Sequence, residues 1–185
     1  MDSSLSIKDR LIIANQYEIL SRLTEDPHEK KQFENFRDIF TAGFSRYYSL
    51  ATEYFSDELS DEECKFVIDV LSLYRDLYYS REHSVKAKEV IDEKDVLFNG
   101  FDLNDETEVK YLSFYEFLVK QLGRYEEIKE LMESGKIESF NSHGFGPSMR
   151  KLKKMIDKRK AILKSRDYGY SDDLSIEEIQ EIING

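Results

Sequence analysis

Arg10-Leu-Ile-Ile-Ala-Asn-Gln-Tyr-Glu-Ile-Leu20 has the periodicity of a helix, yet apolar side chains fall on almost every side of it. Such a stretch predicts a helix buried at the centre of the fold. Asn15, Gln16 and Tyr17 sit in its middle. An amide buried without a partner costs roughly 1–3 kcal/mol, so these residues must either brace the core or face something that needs reading. Successive helical residues are about 100° apart, so Asn15 and Gln16 share one broad side while Tyr17 turns toward the next. Two readings follow. The structural one is a buried polar network that holds the other helices in register. The functional one is a wall of amide donors and acceptors, with a phenol beside it, lining a ligand pocket.

Outward from this stretch, capping signals mark further helix starts. Ser6 is followed by Asp9, Ser60 by Glu63 and Ser175 by Glu178, each pairing a cap hydroxyl with an acid in the first turn. Asp26 precedes Pro27, which loses no hydrogen bond at the first helical position. Phe33, Phe36, Phe40, Phe44 and Tyr47 then form one stripe, interrupted by Gly43. Cys64, Val67, Ile68, Leu71, Tyr74 and Tyr78 give the helix after Ser60 a buried face that runs to about Ser80. Tyr111, Leu112, Tyr115, Leu118, Val119 and Leu122 predict a second central helix, capped by Asn104 or Asp105. Asn99-Gly100, after Val96-Leu-Phe, reads as a helix stop rather than a strand, since no partner strand is visible.

A short acidic helix is predicted from Glu126 to Ser134, stopped by Gly135. Phe140 to Pro147 is a loop whose proline starts the next helix, with Met149, Leu152, Met155 or Ile156, and Leu163 inward. Residues 167–173 form a loop or hinge before a C-terminal helix over 176–183. The expectation is an all-α, compact single domain over 1–185, a bundle of six to eight helices.

Composition narrows the function classes. The net charge of −11 argues against a surface that is basic throughout, as a general nucleic-acid or anionic-membrane binder would need. Cys64 is the single cysteine, so no internal disulfide and no multi-thiolate zinc site can form. The opening residues lack a basic start followed by an apolar core. No run reaches the roughly 18 apolar residues of a membrane span. The cytoplasm is the expected location, with no membrane partner. No phosphate-binding glycine loop, nucleophile elbow, dinucleotide fingerprint or His-Glu-x-x-His pair occurs, so no catalytic residue, cofactor or metal is expected.

The order of several islands suggests kinship. Arg10 to Tyr17, Asp92 to Asp102, Glu108 to Leu112, Gly123-Arg-Tyr125, His143-Gly-Phe145 and Leu174 to Asn184 together resemble the YfbU-like family of bacterial proteins. The resemblance spans nearly the whole chain. It implies a compact, mostly helical cytoplasmic protein, and it brings no assigned biochemical activity and no catalytic residues. Ile128 to Asn141 and the lysine-rich segment after Pro147 depart from the family pattern.

The polar residues inside these islands are the candidate site: Asn15, Gln16, Tyr17, Asp102, Arg124 and His143. Asn99 and Asp102 beside Gly100 suit either an anion site or plain turn chemistry. Arg124 could clamp a carboxylate or phosphate, or pair with an internal acid. His143, in a glycine-bounded loop, could serve acid–base chemistry or bind a metal, though a lone loop histidine usually does neither. The basic segment Arg150, Lys151, Lys153, Lys154, Lys158 and Arg159 has three explanations. It is a face paired with acidic helices, a contact with the acidic surface of another copy, or a nucleic-acid site with Tyr168 and Tyr170 stacking bases. The sequence favours a non-enzymatic interaction or regulatory protein that forms a homodimer. The alternatives are nucleic-acid or nucleotide binding through the 150–166 helix and a small-ligand enzyme using Arg124 and His143.

Overall fold

A computed structural model describes residues 5–166 and 173–184. Among these the fold is all-α, with eight α-helices joined by short turns of 3-10 and π character. They fall into two compact units, Met1–Glu58 and Leu59–Gly185.

The smaller unit is a helical hairpin of α1 (Ile7–Leu23) and α2 (Pro27–Ala42), followed by a 3-10 stretch, Ser45–Ala51. Both helix starts are those expected. Ser6 and Asp9 form a reciprocal capping box, and Asp26 accepts from the amides of His28 and Glu29 with Pro27 in the first turn. Tyr17 joins the helices, its ring 5.0 Å from Phe36 and stacked on Phe40 at 5.9 Å. Glu18 ties the same seam by accepting from Arg37 at 2.7 Å. Gly43 (φ 77°) ends α2 in the left-handed conformation, and a side chain there would collide with the Arg10 guanidinium.

The expectation of a buried α1 is overturned. Only Ala14 and Ser21 of α1 are buried, whereas Asn15 and Gln16 are exposed and Tyr17 is half-buried. The physical reason is size: a hairpin can cover one stripe of each helix and no more. Phe33, Phe36 and Phe40 keep the predicted stripe, but Phe44 and Tyr47 follow the break at Gly43 and are exposed.

The larger unit is built on α3 (Asp61–Glu82), whose Val67, Val70, Leu73 and Leu77 are wholly removed from water. Around it lie α4 (Val85–Val90), α5 (Glu108–Glu116), α6 (Glu126–Glu133), α7 (Met149–Ser165) and α8 (Ile176–Ile183). The expected central helix from Tyr111 is present as α5, continued by a π-helical turn over Phe117–Gln121. Tyr111, Leu112, Tyr115, Leu118 and Val119 are buried, and Leu122 is exposed. Cys64 is half-buried rather than a full core residue. Helix α4 was not foreseen; Ser84 caps it through the amide of Ala87. Pro147 lies just outside α7, which Ser148 caps.

Asn99-Gly100 is neither a helix stop nor an ordinary strand. Just after it the chain makes a parallel bridge, Phe101 to Asn141. Phe101 N donates to Phe140 O at 3.1 Å, and Ser142 N donates to Phe101 O at 2.9 Å. Gly100 (φ 98°) faces the Phe140 carbonyl so closely that a Cβ would overlap it. Residues 167–172, with Tyr168 and Tyr170 and most of the expected hinge, lie outside the described residues.

Gly100→Ala is expected to lower the stability of the protein by at least about 3 kcal/mol, since both the backbone conformation and the space forbid a side chain. Gly135→Ala, at φ 75° with open space around it, should cost only about 1 kcal/mol. Urea unfolding of the two variants checks the difference; equal losses would contradict it.

Candidate functional sites

At the end of α5 the helix widens before it breaks. Leu122 N donates to Phe117 O, a π-type bond, and Arg124 N reaches back to Leu118 O. Gly123 and then Tyr125 adopt left-handed conformations, at φ 61° and 57°. For tyrosine this conformation costs roughly 1–2 kcal/mol, so its surroundings must hold it. They do so through burial, through the Arg75 guanidinium 4.4 Å from the ring centroid, and through hydroxyl contacts to Ser72 Oγ and Ile68 O. π-Turns and non-glycine left-handed residues concentrate at functional sites.

This corner borders a cleft of about 540 Å³ lined by Arg75, Tyr79, Gly123, Arg124, Tyr125, Glu126 and Glu127. Glu127 is a buried carboxylate, and Arg75 meets it with two parallel bonds, at 2.6 and 2.7 Å. Hydrogen bonding to Glu127 raises the Arg75 pKa, outweighing partial burial. Burial raises that of Tyr79, which lines the same cleft. Arg124 is exposed and has no ion pair among the described residues, so the expected internal salt bridge belongs to Arg75 instead. Nothing in the letters of Arg75 and Glu127 announced their pairing across 52 positions.

A second cleft, of about 360 Å³, lies beside the Phe101–Asn141 bridge and includes Asn99, Lys136, Glu138, Asn141 and His143. His143 is left-handed at φ 50°. Asn141 holds it there: its Oδ1 accepts from His143 N at 3.0 Å and from Leu103 N at 3.1 Å, and its Nδ2 lies 3.2 Å from His143 Nδ1. Asp102 is turned into its own loop, Oδ1 accepting from Asn104 N and Nδ2, while Asp102 N donates to Glu108. The bridge thus brings the loops of Asp102 and His143 together. Arg124 lines the other cleft, and Asn15, Gln16 and Tyr17 belong to the smaller unit.

The profile of the YfbU domain matches residues 3–185 of this sequence. The chain belongs to the YfbU family. It is also similar to the UPF0304 protein MJECS11 of Methanocaldococcus jannaschii, 32% identical over 182 residues, which are 97% of this chain and 99% of that protein. The islands that carry the resemblance in the sequence are therefore parts of a family match along nearly its full length.

The basic helix of this YfbU-family chain is α7. Its inward residues Leu152, Met155 and Ile156 are buried as expected, and many of its cations are engaged. Arg159 donates to Asp76 and Lys160 to Asp69, both on α3. Lys158 donates to the carbonyl of Glu181 on α8, and Lys153 lies 5.9 Å from the centre of the Phe66 ring. Arg150, Lys151 and Lys154 are exposed, without an ion pair among the described residues. No group of three or more His, Cys, Asp or Glu among those residues is placed to hold a metal ion. No helix among them is long and apolar enough to cross a membrane.

Arg75→Ala strands the buried Glu127 carboxylate and should cost about 3 kcal/mol, whereas Arg75→Met with Glu127→Leu should recover most of the loss. Arg124→Ala should stay within about 0.5 kcal/mol of the parent. Chemical denaturation of the variants measures all three.

Proposed function

We propose that this protein is a non-enzymatic interaction or regulatory protein whose binding part is the smaller unit. The observation that carries the reading is the apolar surface this unit leaves in water. Ile7, Leu11, Ile12, Ile19 and Leu23 on α1 are between 56% and 76% exposed, and Tyr54 and Phe55 beyond the 3-10 stretch are 84% and 78% exposed. Beside α2 an apolar groove of about 530 Å³ runs between Phe36, Ile39, Phe44, Tyr47 and Leu50. Exposed apolar side chains in this number are uncommon on a protein that acts alone, and where they adjoin they mark interaction sites.

The clefts of the larger unit support the same reading from the other side. Two of their groups are occupied by internal bonds, Glu127 by Arg75 and Asn141 by its own loop. A catalytic set needs a nucleophile or base with a free lone pair aimed at a reacting atom, and neither cleft supports that need as well as the smaller unit supports docking.

Photo-crosslinking from positions 19 and 47, compared with position 130 on the exposed side of α6, tests the reading in the source cell. Discrete adducts from either smaller-unit position, and none from position 130, are expected. If positions 19 and 47 give no discrete adduct, the proposal is wrong.

A further inference from the structure

We propose that the outer face of α1 is a two-fold self-association surface, closed by α1 of a second copy running antiparallel to it. The inference rests on the interaction reading above and names the partner. Its starting point is that α1 has two faces with different fates. Arg10, Ile13, Ala14, Tyr17 and Ser21 recur at helical spacing and turn toward α2. About half a turn away, Ile12, Ile19 and Leu23 form a stripe at spacings of seven and four, with Leu11 at its edge and the amides of Asn15 and Gln16 between them.

The spacing of this stripe selects a symmetric partner. Taken about a point between positions 15 and 16, Ile12 mirrors Ile19 on the same face. An antiparallel two-fold at that point lays Ile12 against Ile19 of the second copy, twice, as an isologous contact requires. Asn15 and Gln16 then lie nearest the axis, each close to its own counterpart. A primary amide both donates and accepts, so it is complementary to itself. Polar amides inside an apolar helical seam fix register and partner number. The same amides would be left unpaired against a purely apolar partner.

Charge and area agree with a second copy as the occupant. The chain carries a net charge of −11, so two copies repel wherever their acidic surfaces meet. On α1 the charges nearly cancel, Lys8, Arg10 and Arg22 against Asp9 and Glu18, so two copies of this face meet without the repulsion of the acidic remainder. The exposed parts of Leu11, Ile12, Ile19 and Leu23 sum to an apolar patch on the order of 500 Å². With Lys8, Asn15, Gln16 and Arg22 around them, the face approaches the roughly 800 Å² per partner of a standard interface.

Sedimentation equilibrium of the full chain over a wide concentration range reads the association directly. A species of twice 21.9 kDa is expected, reduced to the monomer mass by Ile12→Lys with Ile19→Lys at unchanged helical circular dichroism. Orientation is read by oxidation in a Cys64→Ser background. Asn15→Cys, beside the axis, should form a covalent dimer, and Lys8→Cys, far from it, should not. A wild-type chain that stays monomeric overturns the proposal, as does a dimer that survives the double lysine variant or crosslinks equally well through position 8. If the chain is monomeric but position 19 still crosslinks to a different protein, self-association fails while the interaction reading stands. No adduct from position 19 or 47 removes both.

Discussion

One stripe of α3 cannot be left in water, and the rest of the larger unit is arranged by that constraint. Val67, Val70, Leu71, Leu73 and Leu77 are at most 2% exposed. At about 2 kcal/mol for each fully buried aliphatic side chain, their desolvation is large beside the stability of a typical domain. Because Leu71 and Leu73 lie about 160° apart around the helix, no single neighbour can cover them all. Helices α4, α5 and α7 and the Glu93–Val96 turn all pack against α3. Polar pairing follows the packing. Asp69 and Asp76, at the edge of the buried stripe, meet Lys160 and Arg159 of α7, so the basic helix is held in azimuth by acids that the core had already placed.

The hairpin of the smaller unit starts from similar letters and reaches a different result. Its α1 is as apolar as a core helix, but within its unit the helix it lies against is α2. Helical periodicity reports that a face gains by leaving water; it does not report which body supplies the cover. The expectation that Asn15 and Gln16 form a buried network failed for this reason. Tyr17 was legible in part, because its place opposite Phe33, Phe36 and Phe40 depends on two adjacent helices and a short turn.

Local chemistry was legible at several helix starts. The capping boxes at Ser6, Ser60 and Ser175 each involve residues three apart, and the sequence carries all of that information. Features that depend on distant partners were hidden. The bridge from Phe101 to Asn141 needs a second segment 40 positions on, and Gly100 reads as an ordinary turn glycine until the Phe140 carbonyl is beside it. Tyr125 gives no sign of its left-handed backbone, since tyrosine there is tolerated only through contacts to Arg75, Ser72 and Ile68. Of the candidate site residues, the sequence placed Asp102 and His143 in turns correctly and could not show that one bridge joins their loops.

The exposed amides of α1 change what its apolar face can do. In water they are solvated and cost nothing, so they do not hinder the free protein. Once the face is covered, each must find a donor and an acceptor or lose on the order of 1–3 kcal/mol. An all-aliphatic stripe would favour many apolar surfaces about equally, because hydrophobic burial is non-directional. Asn15 and Gln16 make the gain from Ile12, Ile19 and Leu23 conditional on the chemistry of the occupant, which is how specificity arises from a penalty on the wrong partner. The polar residues in this apolar helix therefore act at its surface rather than in its interior, and they restrict which surface can cover it.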